Sequence, residues 1–163
     1  MAAKIAVLSK IYRNSSAFDT PDWNENRRVA DATYTETPDE GNADDRGSRV
    51  HQFEPTQYTI ECSGKIRVDP DDAEYVAFRD AAAQDLGLDL LILNGANTTV
   101  GSEGCRGWFK LFSWGEEQAM ANVLYRDFVL KPCVPQDDDE THVQKAIIEA
   151  GPTLTTYTFG EAQ

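Results

Sequence analysis

The pattern that most constrains this chain is one helix-like segment set among stretches that alternate as β-strands do. Residues 69–87, DPDDAEYVAFRDAAAQDLG, begin with Asp69 as a predicted N-cap and Pro70 at the first helical position. Gly87 is predicted to end the helix. Apolar residues recur at helical spacing in one stripe, which contains Tyr75, Phe78, Ala82 and Leu86. The sequence therefore predicts a mainly β chain with one flanking helix.

The strongest strand patterns lie on either side of this helix. Residues 56–68 alternate well, and Gly64 predicts a bend or bulge within them. Residues 88–93, LDLLIL, predict a buried strand. Residues 107–114 and 118–132 are predicted to form a hairpin whose connection is GEEQ.

Weaker patterns complete the chain. Residues 4–12, 28–36 and 152–160 read as further strands, whereas residues 141–151 fit either a helix or a strand. Together these patterns predict six to eight strands in the chain. A length of 163 residues and the absence of a convincing boundary predict a single domain over residues 1–163.

Net charge excludes some classes of partner. Asp and Glu number 28 against 15 Lys and Arg, which gives −13 at pH 7. A field of this sign repels nucleic acids and anionic membranes, so neither sequence-specific DNA binding nor a membrane role is predicted. The apolar run near the N-terminus is too short for a signal peptide or a membrane span.

Residues suited to catalysis are few. The chain has only two histidines, His51 and His142, and no nucleophile-elbow or phosphate-loop motif. Cys105 beside Arg106 in a Gly-rich turn could have a lowered thiol pKa, but a turn leading into a strand explains the same residues. The odd number of cysteines, three in all, favours reduced structural thiols. No enzyme activity and no cofactor is predicted.

Carboxylate clusters were the other candidates for chemistry. Residues 69–72 are explained by helix capping and residues 136–140 by a solvated loop. Residues 39–45 come nearest to a calcium loop, with Asp39, Asn42 and Asp44, but no Glu lies at the distance such loops need. No metal site is predicted.

Residues 35–50, TETPDEGNADDRGSRV, contain no large apolar residue before Val50. The stretch could be a metal loop, a linker between domains, or an arm that becomes ordered against another copy or a partner. Its charged residues form the candidate interface, which consists of Glu36, Asp39, Glu40, Asp44, Asp45, Arg46 and Arg49.

Aromatic side chains occur on both faces of the predicted strand at 107–114. They are Trp108, Phe109, Phe112 and Trp114. Such a strand is buried on both sides, either inside the core or by a neighbouring subunit.

The order of features along nearly the whole chain resembles the phage major tail tube proteins, which are similar in fold to the tube protein of type VI secretion. The features that resemble this family are, in order, Trp23 with NRRVADATYTET (26–37), DDRGSRV (44–50), YTIECSGKIRV (58–68), the capped helix, LDLLILNG (88–95), GWFKLFSW (107–114) and VLKP (129–132).

The resemblance implies a β-sandwich or distorted β-barrel with one flanking helix at about residues 70–86, and no catalysis. It implies hexameric rings that stack into a tube through which DNA passes, in contact with other tail proteins such as tape measure, terminator and baseplate or tip proteins. The protein would be made in the host cytoplasm and located in the virion tail. Residues 35–50 would be an assembly loop. A helix at 141–151 would depart from this pattern.

An acidic lumen would repel the DNA backbone and let it slide, and Glu61 and Asp127 are candidates to line it. Two alternatives stay open. One is a monomeric β-sandwich binding or accessory module of a virion, in which Trp108 or Trp114 forms an exposed platform. The other is a small hydrolase that uses Cys105 or a carboxylate pair.

Overall fold

The computed structural model describes residues 9–38, 58–120, 123–133 and 143–157. Within these ranges the chain forms nine strands and one helix, α1 at Ala73–Gln84. The strands are β1 Lys10–Asn14, β2 Trp23–Glu25, β3 Val29–Pro38, β4 Tyr58–Arg67, β5 Leu88–Leu93, β6 Glu103–Met120, β7 Val123–Pro132, β8 Gln144–Glu149 and β9 Thr153–Tyr157. The prediction of a mainly β fold with one flanking helix is confirmed.

All nine strands belong to one antiparallel sheet, with the order β2-β1-β5-β6-β7-β4-β3. The hairpin of β8 and β9 joins this sheet by pairing β8 with β6. A backbone hydrogen bond of 3.0 Å from the Ser9 N–H to the Ala32 carbonyl links the residue before β1 to β3. The sheet therefore bends enough to bring strands from opposite sides of the path together.

Two apolar clusters lie on opposite faces of β5, because successive side chains of a strand point to opposite sides. Leu90 and Ile92 belong to the larger cluster, where α1 packs with Phe78 against Phe128 in an edge-on contact of 5.9 Å. The smaller cluster covers the other face of β5 and consists of Tyr12, Leu91, Leu93, Ala146 and Ile148, with Trp23 and Leu154 packed against it. The uniformly apolar LDLLIL is thus explained by burial on both faces.

The helix exists as predicted, but its start was predicted wrongly. Asp72, not Asp69, is the N-cap, and its carboxylate accepts a hydrogen bond of 3.1 Å from the Tyr75 N–H. Asp69 instead accepts from the Asp71 N–H in the preceding turn, so Pro70 lies before the helix. At the other end Asp85, in a left-handed conformation with φ 53°, is the C-cap instead of Gly87.

The buried stripe of α1 also differs from the prediction toward its C-terminus. Tyr75 and Phe78 are buried as expected, but Ala81 is buried in place of Ala82, and Leu86 is 45% exposed. Because the helix ends before Leu86, that side chain is not carried onto the helical face.

The predicted irregularity at Gly64 is present, but the one extra residue lies on the neighbouring strand β3. The register between β3 and β4 shifts between Ala30 and Thr33, and Asp31 has φ 54° there. A Cβ at Gly64 would lie 2.9 Å from the Ala32 Cα. Glycine on β4 therefore makes room for the bulge on β3.

The predicted GEEQ connection was wrong. Residues 115–118 lie inside β6, and the pairing of β6 with β7 continues to Met120 opposite Val123. Two register shifts occur in β6, between Leu111 and Ser113 and between Trp114 and Glu117. These irregularities break the alternation of the sequence, which made a continuous strand look like two.

The open choice at residues 141–151 resolves to a strand, β8, because Ala146 and Ile148 face the smaller apolar cluster. The possible departure from the tail tube pattern at this point is therefore not present. Residues 4–12 also contributed a strand, which begins only at Lys10 among the described residues.

Candidate assembly site

The predicted assembly loop connects two neighbouring antiparallel strands. Pairing of β3 with β4 extends to Pro38 opposite Tyr58, so residues 39–57 join the ends of one hairpin. Glu36 lies in the described part of β3. The other predicted interface residues lie outside the described residues, and their role stays a prediction: Asp39, Glu40, Asp44, Asp45, Arg46 and Arg49.

Glu36 makes its polar contacts within the subunit. The Tyr34 hydroxyl donates a hydrogen bond of 2.8 Å to Glu36 Oε2, and Lys145 Nζ lies 3.2 Å from Glu36 Oε1. These contacts tie β3 to β8, which is not its neighbour in the sheet. Glu36 therefore fixes the strand that leads into the loop, and nothing in the sequence could have paired it with Lys145.

The surroundings of this cluster explain two shifted pKa values. Burial raises the pKa of Tyr34 well above its usual range, and the nearby Cys105 and Glu36 act in the same direction. Burial by itself would lower the pKa of Lys145, but the hydrogen bond and charge of Glu36 outweigh it and the pKa is raised. Tyr34 thus stays a hydroxyl donor and Lys145 stays a cation at neutral pH.

Two long strand edges are available on the four-stranded part of the sheet, which has the order β6-β7-β4-β3. Pairing of β5 with β6 ends at Phe109, so residues 110–120 of β6 have β7 on one side only within the described part of the chain. Residues 33–38 of β3 likewise pair with β4 on one side among the described residues. Such edges present backbone donors and acceptors that another strand can pair with.

One face of this four-stranded sheet lies opposite the core. Ile60, Cys62, Phe128 and Leu130 are buried, so the alternate residues of β4 and β7 face away from them. We name this surface the open face. It is defined by Glu61, Ser63, Lys65 and Arg67 of β4, by Asp127, Val129 and Lys131 of β7, and by Lys110, Phe112 and Ser113 of β6.

The two acids predicted as lumen candidates both lie on the open face, each opposite a lysine. Lys131 Nζ lies 4.0 Å from Glu61 Oε2, and the pairing of β4 with β7 places Asp127 directly opposite Lys65. Glu61 is therefore a counter-ion of Lys131, and Asp127 is placed by register beside Lys65, which the sequence could not show.

The aromatic side chains of β6 divide between core and surface. Phe109 is fully buried, and Trp114 packs against Tyr75 with ring centroids 6.1 Å apart. Phe112 is 69% exposed at the first register shift, and Lys131 Nζ lies 3.7 Å from its ring centroid. The single chain therefore does not bury both sides of this strand, and burial of the exposed side by a neighbouring subunit stays a prediction. Neither Trp108 nor Trp114 is an exposed platform, since both are half-buried.

Cys105 does not have the surroundings of a reactive thiol. It is fully buried, and burial raises its pKa, although the Tyr34 hydroxyl acts in the opposite direction. Burial likewise raises the pKa of Cys62 to about 12. Thiols at such sites stay protonated and unreactive at neutral pH.

Arg106 points away from Cys105 and has its own partners. Its Nη2 lies 3.1 Å from Asp89 Oδ2 and donates a 2.6 Å hydrogen bond to the Phe18 carbonyl. Its guanidinium also stacks on the rings of Phe18 at 3.9 Å and Trp23 at 4.9 Å. Arg106 therefore holds the segment between β1 and β2 against the sheet and is not placed to activate a thiol.

Neither a metal cluster nor a spanning helix occurs in the described ranges. No three His, Cys, Asp or Glu side chains come together there as metal ligands. In the same ranges no helix has the length and apolar character needed to cross a membrane. Both histidines, His51 and His142, and the acidic residues 136–140 lie outside the described residues.

Comparison with known proteins gives a fold and no sequence family. No family model matches the chain, and no curated protein matches it. A solved structure of the phage SPP1 tail tube, determined by solid-state NMR and cryo-EM, is similar at a TM-score of 0.59 and 12% sequence identity. The match covers 78% of this chain and 74% of that one. The chain therefore has a phage tail tube-like fold.

Proposed function

We propose that this protein is a structural subunit of a phage tail tube, located in the virion tail and without catalytic activity. The observation that supports this most directly is the similarity of fold to the SPP1 tail tube. The order of sequence features over residues 23–132 supports it separately, because that order resembles the phage major tail tube proteins. In this proposal the whole chain is one tube domain.

Subunits would join side by side through the two strand edges described above. Residues 33–38 of β3 and residues 110–120 of β6 lie on opposite edges of the same four-stranded sheet. If β3 of one copy pairs with β6 of the next, the interface is head-to-tail, and such interfaces close into rings. We propose hexameric rings that stack into a tube, on the basis of the resemblance.

Residues 39–50, the part of the predicted assembly loop that follows β3, would then contact a neighbouring subunit or the next ring. Their acids and two arginines suit complementary charge contacts, which mainly set register and orientation. Glu36 is not one of the proposed intersubunit contacts, because its carboxylate already contacts Tyr34 and Lys145 within the subunit. The proposed intersubunit contacts therefore come from the other six charged residues of the loop, and tape measure, terminator and baseplate or tip proteins would bind the tube ends.

The open face would line the channel through which DNA passes. It is the side of the four-stranded sheet that faces away from α1 and the larger apolar cluster, and if the sheets of successive copies joined edge to edge they would present it as one continuous surface. This proposal places Glu61 and Asp127 in the lumen, together with their lysines.

Amide hydrogen exchange with electron microscopy and light scattering tests the proposal. We expect rings or tubes at high protein concentration, and slower exchange in residues 33–38 and 110–120 of the assembled fraction than in dilute subunit. Residues 153–157 of the edge strand β9 are the internal control and should keep their rate.

Two outcomes would count against this proposal. Protection of β9 without protection of β3 and β6 would refute the edge-pairing arrangement while leaving a tube possible. A chain that stays monomeric, with unchanged exchange at every edge under all conditions that drive assembly, would instead favour the binding or accessory module, and exposed Phe112 would then be the first residue to test for ligand contacts.

A further inference from the structure

The distribution of charge on the open face differs from that of the whole chain. The chain has 28 acids and 15 Lys and Arg. On the open face, among residues whose side chains the structure describes, the cations are Lys65, Arg67, Lys110 and Lys131, and the acids are Glu61 and Asp127. The described side chains of the open face therefore do not share the acid excess of the chain.

The two carboxylates of the open face are placed by strand register to neutralise its lysines. Cys62 pairs with Leu130, which brings the adjacent Glu61 and Lys131 opposite one another, and their charged atoms lie 4.0 Å apart. Lys131 is also held down by the ring of Phe112, at 3.7 Å. Its ammonium thus lies near both a carboxylate and an aromatic ring, at the surface of the subunit.

The remaining cations also lie near carboxylates. Lys65 is directly opposite Asp127 in the β4–β7 ladder. Arg67 lies 3.9 Å from Asp69, and Lys110 lies 3.5 Å from Asp85. Each cation of the open face therefore lies near an acid, two of which stand on the face and two at its margins, although Asp69 is shared with Arg28 at 3.0 Å.

We propose that the open face is a charge-masked surface for duplex DNA, on which Glu61 and Asp127 prevent Lys131 and Lys65 from binding phosphates. This inference rests on the proposed tube function for its biological meaning, and it refines the expectation that lumen acids act by simple repulsion. A phosphate backbone that passes over paired charges meets neither a strong attraction nor a strong barrier. The acids are then required for release of the DNA, because without them the same face would bind it.

The test uses the full-length chain as a dilute subunit, with a fluorescent DNA duplex and anisotropy at low ionic strength. The double variant Glu61→Gln and Asp127→Asn is expected to bind the duplex, whereas the unchanged protein is not. Two freed lysines should give a slope of about −2 for log affinity against log salt, so a fourfold rise in salt should weaken binding by roughly tenfold.

A matched control separates position from total charge. Asp19→Asn with Asp71→Asn removes the same two charges from exposed sites outside the open face, and it should leave DNA binding as weak as in the unchanged protein. Adding Lys65→Met and Lys131→Met to the first double variant should abolish the gained binding. Thermal unfolding should confirm that each variant is folded.

Two results would overturn the proposal: equal gains in both double variants, or no gain in the open-face variant. Electron microscopy of the same preparations keeps this test apart from the proposed function. Gained DNA binding in a chain that never assembles would support the masked face and refute the tube. Tubes formed by an open-face variant that gains no DNA binding would support the tube and refute the masked face.

Discussion

The two halves of β6 have different surroundings although they form one strand. In the first half, Gly104, Cys105 and Arg106 have registered partners in both β5 and β8. In the second half, from Lys110 onward, β6 pairs only with β7 among the described strands, and its register shifts twice. The comparison teaches that one strand can be the centre of the fold at one end and an edge available for assembly at the other.

The sequence of β6 explains this difference. A Cβ at Gly104 would overlap the Ile92 carbonyl, so the first half needs glycine where its neighbours approach closely. The second half instead has a bulge that turns Phe112 out of the sheet. The first half is therefore enclosed by neighbouring strands on both sides, whereas the second half packs on the core through Leu111 and Trp114 and leaves one strand edge unpaired within the described part of the chain.

The largest expected change in stability separates two phenylalanines of β6 that lie three positions apart. Phe109→Ala should lower the free energy of unfolding by about 3–5 kcal/mol, because Phe109 is fully buried. Phe112→Ala should change it by less than about 1 kcal/mol, the worth of an exposed contact with the Lys131 ammonium. Urea unfolding of dilute subunit measures both. Similar losses in the two variants would show that the halves of β6 do not differ as described.

The next test compares two ion pairs. Arg106 and Asp89 have side chains only 11% and 3% exposed, whereas Lys131 and Glu61 are 42% and 40% exposed. Arg106→Met should lower the free energy of unfolding by about 3 kcal/mol, because it leaves the Asp89 carboxylate buried without its cation. Lys131→Met should lower the free energy of unfolding by less than about 1 kcal/mol, because exposed ion pairs contribute little to stability.

Double-mutant cycles with Asp89→Asn and Glu61→Gln would separate each pair from its surroundings. The buried pair should show the larger coupling energy. The free energy of unfolding lost in Arg106→Met should nevertheless be smaller than for a buried charge with no partner, because Asn14 still donates a hydrogen bond to Asp89. A larger coupling energy for Lys131 and Glu61 would contradict the assignment of the Arg106 pair to the interior and of the Lys131 pair to the surface.

Much of the fold could be predicted because its signals are local. The existence of α1, the doubly buried LDLLIL strand and the long alternating strand β4 each follow from residue patterns within one segment. The helix start was missed because Asp69 and Asp72 are both suitable caps, and only the turn at Asp69 decides between them. The continuity of β6 was missed because bulges break alternation.

The candidate site was less predictable because it depends on pairing between distant residues. Glu36 was predicted as an interface residue from its neighbours in sequence, yet its partner Lys145 comes from a different part of the chain. The lysine opposite each of Glu61 and Asp127 is likewise a property of register, which single-strand patterns do not specify. No local sequence signal would have identified either contact.

The smallest expected effect is a pH dependence that reports on two buried thiols, Cys62 of β4 and Cys105 in the first half of β6. Burial raises the pKa of Cys62 from 9.0 to about 12 and raises that of Cys105 in the same direction. Above pH 9 the unfolded chain therefore loses thiol protons that the folded chain keeps. Stability from these thiols is fully present below pH 9 and should fall above it, by about 1.4 kcal/mol per pH unit for each thiol.

Urea unfolding between pH 8 and pH 10 measures this slope, and the variant Cys62→Ala with Cys105→Ala should reduce it. Cys133→Ala is the comparison variant and should reduce the slope less, because Cys133 is only half-buried and Lys110 opposes the rise in its pKa that burial and Asp85 cause. Since the raised pKa of Tyr34 and of Lys145 also lowers stability at higher pH, the decisive range is the one between pH 9 and pH 10. An unchanged slope in the double variant would mean that water or hydroxide reaches these thiols in the folded subunit, and the first half of β6 would then be no better covered than the second.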